Sequence, residues 1–343
     1  MTDWPPPPPP APEQPYYPNQ VAATNAAISA FSQDFLRLAS NMGRAIKGKS
    51  DIIHLVLTCF FAEGHLLIED VPGVGKTSVA RALAASIDGQ WRRIQFTPDL
   101  LPSDVTGVTI YNQPKHRFEF HPGGVFANIV LADEINRASP KTQSALLEVM
   151  EERRVTVDAQ PYEVPRPFIV VATQNPIEMD GTYRLPEAQL DRFLMRISVG
   201  YPDAAAERTI LAGHHHGSMV DQLRPVLPVT RAAEMIAECS QVHVSDPLAD
   251  YIIALTAATR SLPEARLGVS PRGSIALMRA VRGWAATSGR TYALPEDVKI
   301  LAPGVLAHRL LLQPEAELRG TTAHELIERV LASVPVPHTA AAV

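Results

Sequence analysis

Cysteine is nearly absent from this 343-residue chain, which contains only Cys59 and Cys239. The two residues are far apart, and each lies in an apolar segment with helical spacing. This number and spacing favour two buried free thiols over a disulfide or a zinc site. The consecutive histidines at 214–216 have no accompanying carboxylate or cysteine pattern and are interpreted as part of a loop.

Long hydrophobic runs are also missing. The apolar segment 52–62 has about half of the roughly 18 residues that a membrane-spanning helix needs, and it contains His54. The first residues lack the basic segment and the continuous apolar segment of a signal peptide. These absences predict a cytoplasmic protein without a membrane span.

The chain has no long run of basic residues. Its formal net charge is −5, its pI is about 6.1, and its lysines and arginines are scattered. This distribution argues against nucleic acid as the main ligand. With 46% hydrophobic and 20% charged residues, the chain is long enough for a large core and two packed units.

Proline, by contrast, is concentrated near the start of the chain. Residues 5–10 are six consecutive prolines within a segment, 1–21, that can neither form a helix nor bury a core. We expect this segment to be an extended, disordered tail, and we expect residues 336–343 to form a second flexible tail.

Residues 65–78 have the pattern of a phosphate-binding loop. An apolar strand ending at Glu69 precedes a glycine-bearing loop, and a helix begins near Lys76. The loop amides and the helix N-terminus bind polyphosphate, Lys76 reaches the β- and γ-phosphates, and the Thr77 hydroxyl ligates Mg²⁺. The predicted nucleotide-binding residues, called the phosphate loop below, are Asp70, Val71, Pro72, Gly73, Val74, Gly75, Lys76, Thr77 and Ser78.

The phosphate loop departs from the strict pattern at one position, where Asp70 replaces glycine. Aspartate tolerates unusual backbone angles better than most residues. We therefore interpret Asp70 as a variant that keeps the site.

A second apolar strand supplies two acids. Residues 129–132 suit a buried parallel strand, and Asp133 and Glu134 follow it. Next to a phosphate loop, Asp133 is predicted to hold Mg²⁺ together with Thr77. Glu134 is predicted to orient or deprotonate the water that attacks the γ-phosphate.

A third apolar strand, residues 168–173, is followed by the uncharged amide of Asn175. Ligands of open α/β sheets bind beyond the carboxyl ends of the strands, where all three motifs converge. Asn175 is therefore predicted to contact the attacking water or the γ-phosphate.

Four ordered segments carry a close resemblance to the MoxR family of AAA+ ATPases, and the resemblance covers roughly residues 30–335. These segments are residues 118–126, 133–148, 172–176 and 185–193. A phosphate loop alone occurs in many folds, whereas this ordered set is specific. The resemblance implies an AAA+ P-loop domain with a parallel sheet covered by helices, followed by an all-α lid domain.

The same resemblance implies roles for two arginines. Arg192 corresponds to the family's arginine finger, which reaches the γ-phosphate bound by a neighbouring subunit, and Arg196 is the alternative. Arg272 resembles the second sensor, a lid arginine that contacts the nucleotide phosphates and couples the lid angle to the nucleotide state. Its place in the first turn of a helix is electrostatically unfavourable, which supports an anionic partner.

Family position also assigns the adenine site to Ile46, Lys47 and Gly48. These residues lie between two helical patterns, and a plain interhelical turn explains Gly48 nearly as well.

The order of patterns predicts the domain organisation. Two helices and then alternating strands and helices fill residues 22–202, and helices alone fill residues 203–335. Residues 104–126 and 155–164 are predicted hairpin inserts, which in the family face the pore of the ring. The joint between the domains is expected beside the ATP site.

The resemblance implies a Mg²⁺-dependent ATPase that forms a ring, expected to be a hexamer, and remodels, matures or inserts cofactors into protein clients. Family members associate with partners carrying a von Willebrand factor A domain. Two alternatives remain at the level of sequence. One is a nucleic-acid motor, for which the basic residues 115–117 are the suggestive cluster, and the other is a nucleotide-gated scaffold with little hydrolysis.

Overall fold

The computed structural model describes residues 25–176, 182–183, 185–213 and 219–337. Outside these ranges lie the predicted tail at 1–21, residues 338–343 of the second predicted tail, and the histidines at 214–216. Among the helices within the described ranges, none is long and apolar enough to cross a membrane.

The first part of the chain alternates helices and strands as the sequence pattern predicts. Its elements are α1 (Asn25–Ala45), α2 (Ser50–Phe61), β1 (Leu66–Glu69), α3 (Lys76–Ser86), β2 (Ile87–Asp88), β3 (Trp91–Gln95), α4 (Pro102–Thr106), β4 (Gly107–Asn112), β5 (Arg117–Pro122), β6 (Ile129–Asp133), α5 (Pro140–Glu152), β7 (Arg154–Val157), β8 (Gln160–Glu163), β9 (Ile169–Gln174), α6 (Glu187–Leu190) and β10 (Met195–Ile197).

Five of these strands form one parallel sheet in the order β10-β1-β9-β6-β3. Successive side chains of a strand point to opposite faces. Leu66 and Ile68 therefore pack with α1, α2 and α3, whereas Leu67 packs with α5 on the other face. Helices cover both faces, which confirms the predicted α/β architecture and explains why the strands are apolar runs.

Two hairpins project from this domain at the predicted places. Strand β4 pairs with β5, and β7 pairs with β8, both antiparallel. The rings of Phe120 and Tyr162 stack with centroids 3.9 Å apart and join the two hairpins. The hairpin inserts therefore form one connected unit.

The second part of the chain is mainly helical. Its elements are α7 (Ala204–Gly213), β11 (Leu227–Pro228), α8 (Val229–Ser240), α9 (Asp246–Thr259), β12 (Ala265–Leu267), α10 (Pro271–Thr287), α11 (Pro295–Leu306), β13 (Leu311–Leu312), α12 (Pro314–Leu318) and α13 (Ala323–Ser333). The helical lid is confirmed. It also contains the strand pair β12–β13, and β11 pairs with β2 of the first part. The sequence does not predict these strands, because strands this short leave no periodic signal.

The lid packs against the amino-terminal end of the sheet. Helix α11 lies against β10, where Gly304 adjoins Met195. Helix α10 packs on α1 and α2, and Arg279 of α10 donates hydrogen bonds to the carbonyl oxygens of Ala62 and Glu63, just before β1. Helices α10 and α11 therefore contact the sheet at the end opposite the phosphate loop, whereas α7 begins beside Gly48.

His65 is a buried histidine whose two ring nitrogens both have hydrogen-bond partners. Its Nε2 donates to the carbonyl oxygen of Met150 at 3.0 Å, and its Nδ1 accepts the N–H of Val170 at 3.0 Å. Burial lowers the pKa of His65 to about 3. Both nitrogens are used by the neutral ring, so protonation removes the acceptor that Val170 requires.

We expect the free energy of unfolding to fall as the pH drops below about 6.5, the ordinary pKa of histidine in an unfolded chain. Above that pH the ring is neutral in both the folded and the unfolded chain. Below it the unfolded chain binds a proton at His65, whereas the folded chain does not. Each such group contributes a slope of up to about 1.4 kcal/mol per pH unit. Urea unfolding at pH 7.5 and pH 5 measures the effect. His65→Gln should reduce this slope, with the rest coming from His308, whose pKa burial also lowers, and an unchanged slope in that variant would contradict the expectation.

Candidate functional site

The phosphate loop connects the carboxyl end of β1 to the start of α3. Gly73 and Gly75 have φ angles of 84° and 92°, a region that residues with a side chain avoid. A Cβ atom at either glycine would meet nothing within 4 Å, so backbone conformation and not crowding requires glycine there. Gly75 is also the N-cap of α3, and the loop amides therefore lead directly into the helix N-terminus.

The structure gives a different physical reason for the aspartate at position 70. Its φ is not in the left-handed region, so tolerance of unusual backbone angles does not explain it. Its carboxylate instead accepts hydrogen bonds from the N–H of Gly200 at 2.6 Å, the hydroxyl of Ser198 at 2.7 Å and the N–H of Val71 at 2.7 Å. Partial burial raises the pKa of Asp70, but these hydrogen bonds outweigh it and lower the pKa below its ordinary value. Asp70 ties the phosphate loop to the segment after β10.

Lys76 lies where the loop meets β9. Its Nζ donates to the carbonyl oxygens of Asp70, Val71 and Gln174, the last two at 3.2 Å. The ammonium group is therefore held at the carboxyl ends of β1 and β9. From this position it is next to the backbone donors of the phosphate loop.

Thr77 and Asp133 lie side by side, as the sequence predicts for two ligands of one ion. The Thr77 hydroxyl is 3.3 Å and 3.4 Å from the two carboxylate oxygens of Asp133. Thr173 of β9 donates to Asp133 Oδ1 at 2.5 Å and restrains the carboxylate. A hydroxyl and a carboxylate are oxygen ligands of the kind that Mg²⁺ takes, so this donor set fits the predicted ion.

Glu134 follows Asp133 with a φ of 55°, in the left-handed region. Its N–H donates to the Thr173 hydroxyl at 2.9 Å, and its carboxylate accepts a hydrogen bond from Arg137 at 3.2 Å. The backbone turn at Glu134 separates its carboxylate from that of Asp133, so the two acids serve different partners.

Strand β3 contributes two residues that sequence reasoning missed. Arg93 Nη2 is 2.6 Å from Asp133 Oδ2, and Gln95 Nε2 donates to Glu134 Oε2 at 3.1 Å. The register that pairs Gln95 with Asp133 creates both contacts. The sequence shows only two polar residues two positions apart in a strand. They can be assigned to the site only when β3 is known to lie beside β6.

Asn175 follows β9 at the same edge of the sheet. It is 4% exposed, and its backbone carbonyl oxygen accepts a hydrogen bond from the side chain of Asn136 at 3.2 Å. Because Gln174 pairs with Glu69, Asn175 lies beside the start of the phosphate loop. The structure thus brings together the phosphate loop, both acids and Asn175.

The candidate adenine residues lie beside the segment that Asp70 contacts. Ile46 is buried and Lys47 is half-buried, and a Cβ on Gly48 would be 2.9 Å from the Cβ of Ala206. Lys49 donates to the carbonyl oxygen of Tyr201 at 2.8 Å. Residues 46–49 and 198–206 therefore form one wall next to the phosphate loop.

Arg192 and Arg272 lie at the opposite end of the sheet. Arg192 precedes the amino end of β10, which runs parallel to β1, whereas the phosphate loop leaves the carboxyl end of β1. The four residues of β1 alone separate the two ends by about 13 Å. Arg192 Nε is 3.1 Å from Glu151, and Arg272 Nη2 is 2.7 Å from the same carboxylate.

This position separates Arg272 from the phosphate loop of its own chain. The joint expected beside the ATP site, around residues 198–206, does lie next to the phosphate loop. Helices α10 and α11 pack at the amino ends of β1 and β10, so Arg272 joins Arg192 and lies away from Lys76. Both arginines border a cleft of about 250 Å³ between the sheet and α10.

Arg309 of the lid is a further residue that sequence reasoning missed. Its side chain is 3% exposed, and its Nε is 2.7 Å from Asp191 Oδ1. It also donates to the carbonyl oxygens of Phe193 at 2.6 Å and Leu194 at 3.2 Å. Burial lowers the pKa of Arg309, and Asp191 opposes that shift. Arg309 therefore fixes the backbone on both sides of Arg192.

Comparisons with known proteins agree with this geometry. Residues 65–195 match the ATPase family associated with various cellular activities, AAA, and residues 257–330 match the AAA lid domain. Uncharacterized protein YeaC of Bacillus subtilis is 49% identical, covering 88% of this chain and 94% of its own length. Chaperone MoxR1 of Mycobacterium tuberculosis is 41% identical over 86% of this chain and 80% of its own. The crystal structure of a proposed ATPase from Cytophaga hutchinsonii aligns with a TM-score of 0.85 and 38% identity, over 91% of this chain and 97% of its own.

Proposed function

The chain belongs to the MoxR family of AAA+ ATPases, and from this premise we propose that it hydrolyses ATP at sites completed by neighbouring subunits of a ring. Hydrolysis of ATP is the activity of the family. The subunit arrangement, the residue roles and the client are inferred from the geometry above.

We assign the phosphates to the phosphate loop. Its backbone N–H groups and Lys76 bind the β- and γ-phosphates, and residues 46–48 border the adenine. Thr77 and Asp133 hold Mg²⁺, which when bound neutralises charge on the phosphate oxygens. Glu134 orients or deprotonates the attacking water, and Asn175 holds that water or the γ-phosphate in place.

One observation carries the proposal of a shared site. Arg192 and Arg272 come from different domains, yet they converge on one carboxylate at the end of the sheet opposite Lys76. Phosphoryl transfer needs cationic groups at the γ-phosphate, and these two arginines lie far from the phosphate loop of their own chain. In a head-to-tail assembly they face the nucleotide of the next subunit. Such heterologous contacts close into a ring, which we propose to be a hexamer.

The hairpin inserts favour a protein client over nucleic acid. Phe118 and Tyr111, whose rings are 5.2 Å apart, are 71% and 48% exposed on the β4–β5 hairpin. The positive charge at its tip is partly offset, because Glu119 pairs with both Lys115 at 3.0 Å and Arg117 at 2.7 Å. An apolar tip with paired charges suits polypeptide contact better than phosphate contact. We propose that ATP-driven motion of these hairpins remodels, matures or inserts cofactors into protein clients.

Three further assignments carry over from the sequence: the location and the domain bounds from its residue patterns, and the partner from the family resemblance. We propose a cytoplasmic location and a partner that carries a von Willebrand factor A domain. We also propose a nucleotide-binding domain at residues 22–202 and a lid domain at residues 203–335.

Lys76→Ala tests the nucleotide site. We expect the affinity for ATP to fall by about 10- to 100-fold, because the site loses a charge-assisted hydrogen-bond donor to phosphate. Isothermal titration with ATP and Mg²⁺ measures the change. Lys299→Ala removes an exposed lysine of α11 and serves as the matched control, with unchanged affinity expected. Equal affinities of the two variants for ATP would contradict the assignment of the phosphate loop as the nucleotide site.

A further inference from the structure

Glu151 is the point where three separate parts of the chain meet. It lies at the carboxyl-terminal end of α5, Arg192 precedes β10, and Arg272 is in the first turn of α10. Each arginine uses a different oxygen of the carboxylate: Arg192 Nε contacts Oε2 at 3.1 Å, and Arg272 Nη2 contacts Oε1 at 2.7 Å. One side chain therefore bridges the sheet domain and the lid.

The position of Glu151 is not explained by the stability of its own helix. A negative charge in the last turn of a helix faces the negative end of the helix dipole, which is mildly unfavourable. Its side chain is 40% exposed and that of Arg272 is 62% exposed. Ion pairs with this exposure contribute little to folding, typically 0–1 kcal/mol.

The bridge does have a consequence for the two arginines. Guanidinium groups close together repel each other, and a shared carboxylate offsets that repulsion. Each arginine contacts a different oxygen of Glu151. The distance between the two guanidinium groups is therefore set by the spacing of these two oxygens. The lid orientation and the position of Arg192 are tied together by the same contact.

We propose that Glu151 is a positioning residue that holds Arg192 and Arg272 as a pair for the γ-phosphate bound by the neighbouring subunit. This inference rests on the shared site proposed above. It assigns a function in turnover to a carboxylate that touches neither the nucleotide nor the attacking water.

Glu151→Gln, compared with Glu152→Gln, tests the assignment. Glu152 is the adjacent residue of the same helix and pairs with Arg154 at 3.3 Å, so it matches Glu151 in place and charge but not in partners. We expect the kcat of Glu151→Gln to fall about tenfold, with the Kd for ATP and the ATP-dependent assembly seen by sedimentation unchanged. Glu152→Gln should match the unaltered chain, and Glu151→Asp should recover part of the loss. A kcat that is unchanged or raised in Glu151→Gln would overturn the proposal.

A double-mutant cycle shows whether Glu151 acts through the arginines. In a chain that already carries Arg272→Ala, addition of Glu151→Gln should reduce kcat much less than in the unaltered chain, because the bridge is already broken. Full additivity of the two changes would overturn the proposal, since it would mean that Glu151 acts elsewhere.

Mixed assemblies then separate this inference from the proposed function. Lys76→Ala subunits should restore turnover to Glu151→Gln subunits. They keep Glu151, so their Arg192 and Arg272 are correctly positioned at the nucleotide of the neighbouring subunit. Subunits with both Lys76→Ala and Glu151→Gln should not. If the two donors restore turnover equally, the role of Glu151 is wrong while the shared site stands. If Arg192→Ala and Arg272→Ala leave turnover intact, the shared site itself is wrong.

Discussion

ATP turnover is expected to fall by about 10²–10⁴ in Glu134→Gln, the range for loss of a general base, while ATP remains bound. The amide has nearly the same shape as the carboxylate and can still accept the hydrogen bond from Gln95, so the local structure should be retained. It cannot take a proton from water. Phosphate release in steady state measures turnover, and titration with ATP measures binding.

The matched control for this change is Glu148→Gln on the exposed side of α5, which should leave turnover unchanged. A chain that still hydrolyses ATP with Gln at position 134 would contradict the role of Glu134. Loss of hydrolysis in that variant would also exclude a nucleotide-gated scaffold with little hydrolysis, because the unaltered chain must then turn over measurably.

Arg192→Ala is expected to reduce turnover by about 10³–10⁵, the contribution typical of arginine fingers, with little change in ATP affinity. The arginine lies at the amino end of β10, so its loss leaves the phosphate loop of its own chain intact. Steady-state hydrolysis at saturating ATP gives the turnover, and titration with ATP gives the affinity.

Arg196→Ala is the discriminating comparison. Arg196 follows Arg192 by four residues, but it pairs with Glu69 at 3.3 Å, beside the phosphate loop of the same chain. A large loss in Arg196→Ala together with normal turnover in Arg192→Ala would move the finger to Arg196.

The parts of the site that are local in sequence could be predicted. The phosphate loop, the acids after β6 and the amide after β9 each follow a short apolar strand, and strand ends are visible in the pattern of residues. The predicted strand at 168–173 corresponds to β9, Ile169–Gln174, a shift of one residue that leaves Asn175 beyond the strand. Parallel strands then place all three motifs at one edge.

Residues that depend on neighbours distant in sequence could not be predicted. Arg93 and Gln95 reach the acids only because β3 lies next to β6, a strand order that local patterns do not contain. Arg309 reads as one charge at the end of a helical pattern, and only the docking of the lid buries it against Asp191. The same docking brings Arg272 to Glu151, a contact that local patterns do not contain.

Mixing Arg192→Ala subunits with Lys76→Ala subunits is the most direct test of a site shared between neighbours. Each variant alone should be nearly inactive, because one lacks the finger and the other lacks the phosphate-binding lysine. In mixed rings an Arg192→Ala subunit retains its phosphate loop and receives Arg192 from its Lys76→Ala neighbour. We predict turnover well above the sum of the separate variants, rising with the fraction of mixed interfaces. Turnover equal to that sum, in assemblies shown by sedimentation to contain both variants, would contradict the account.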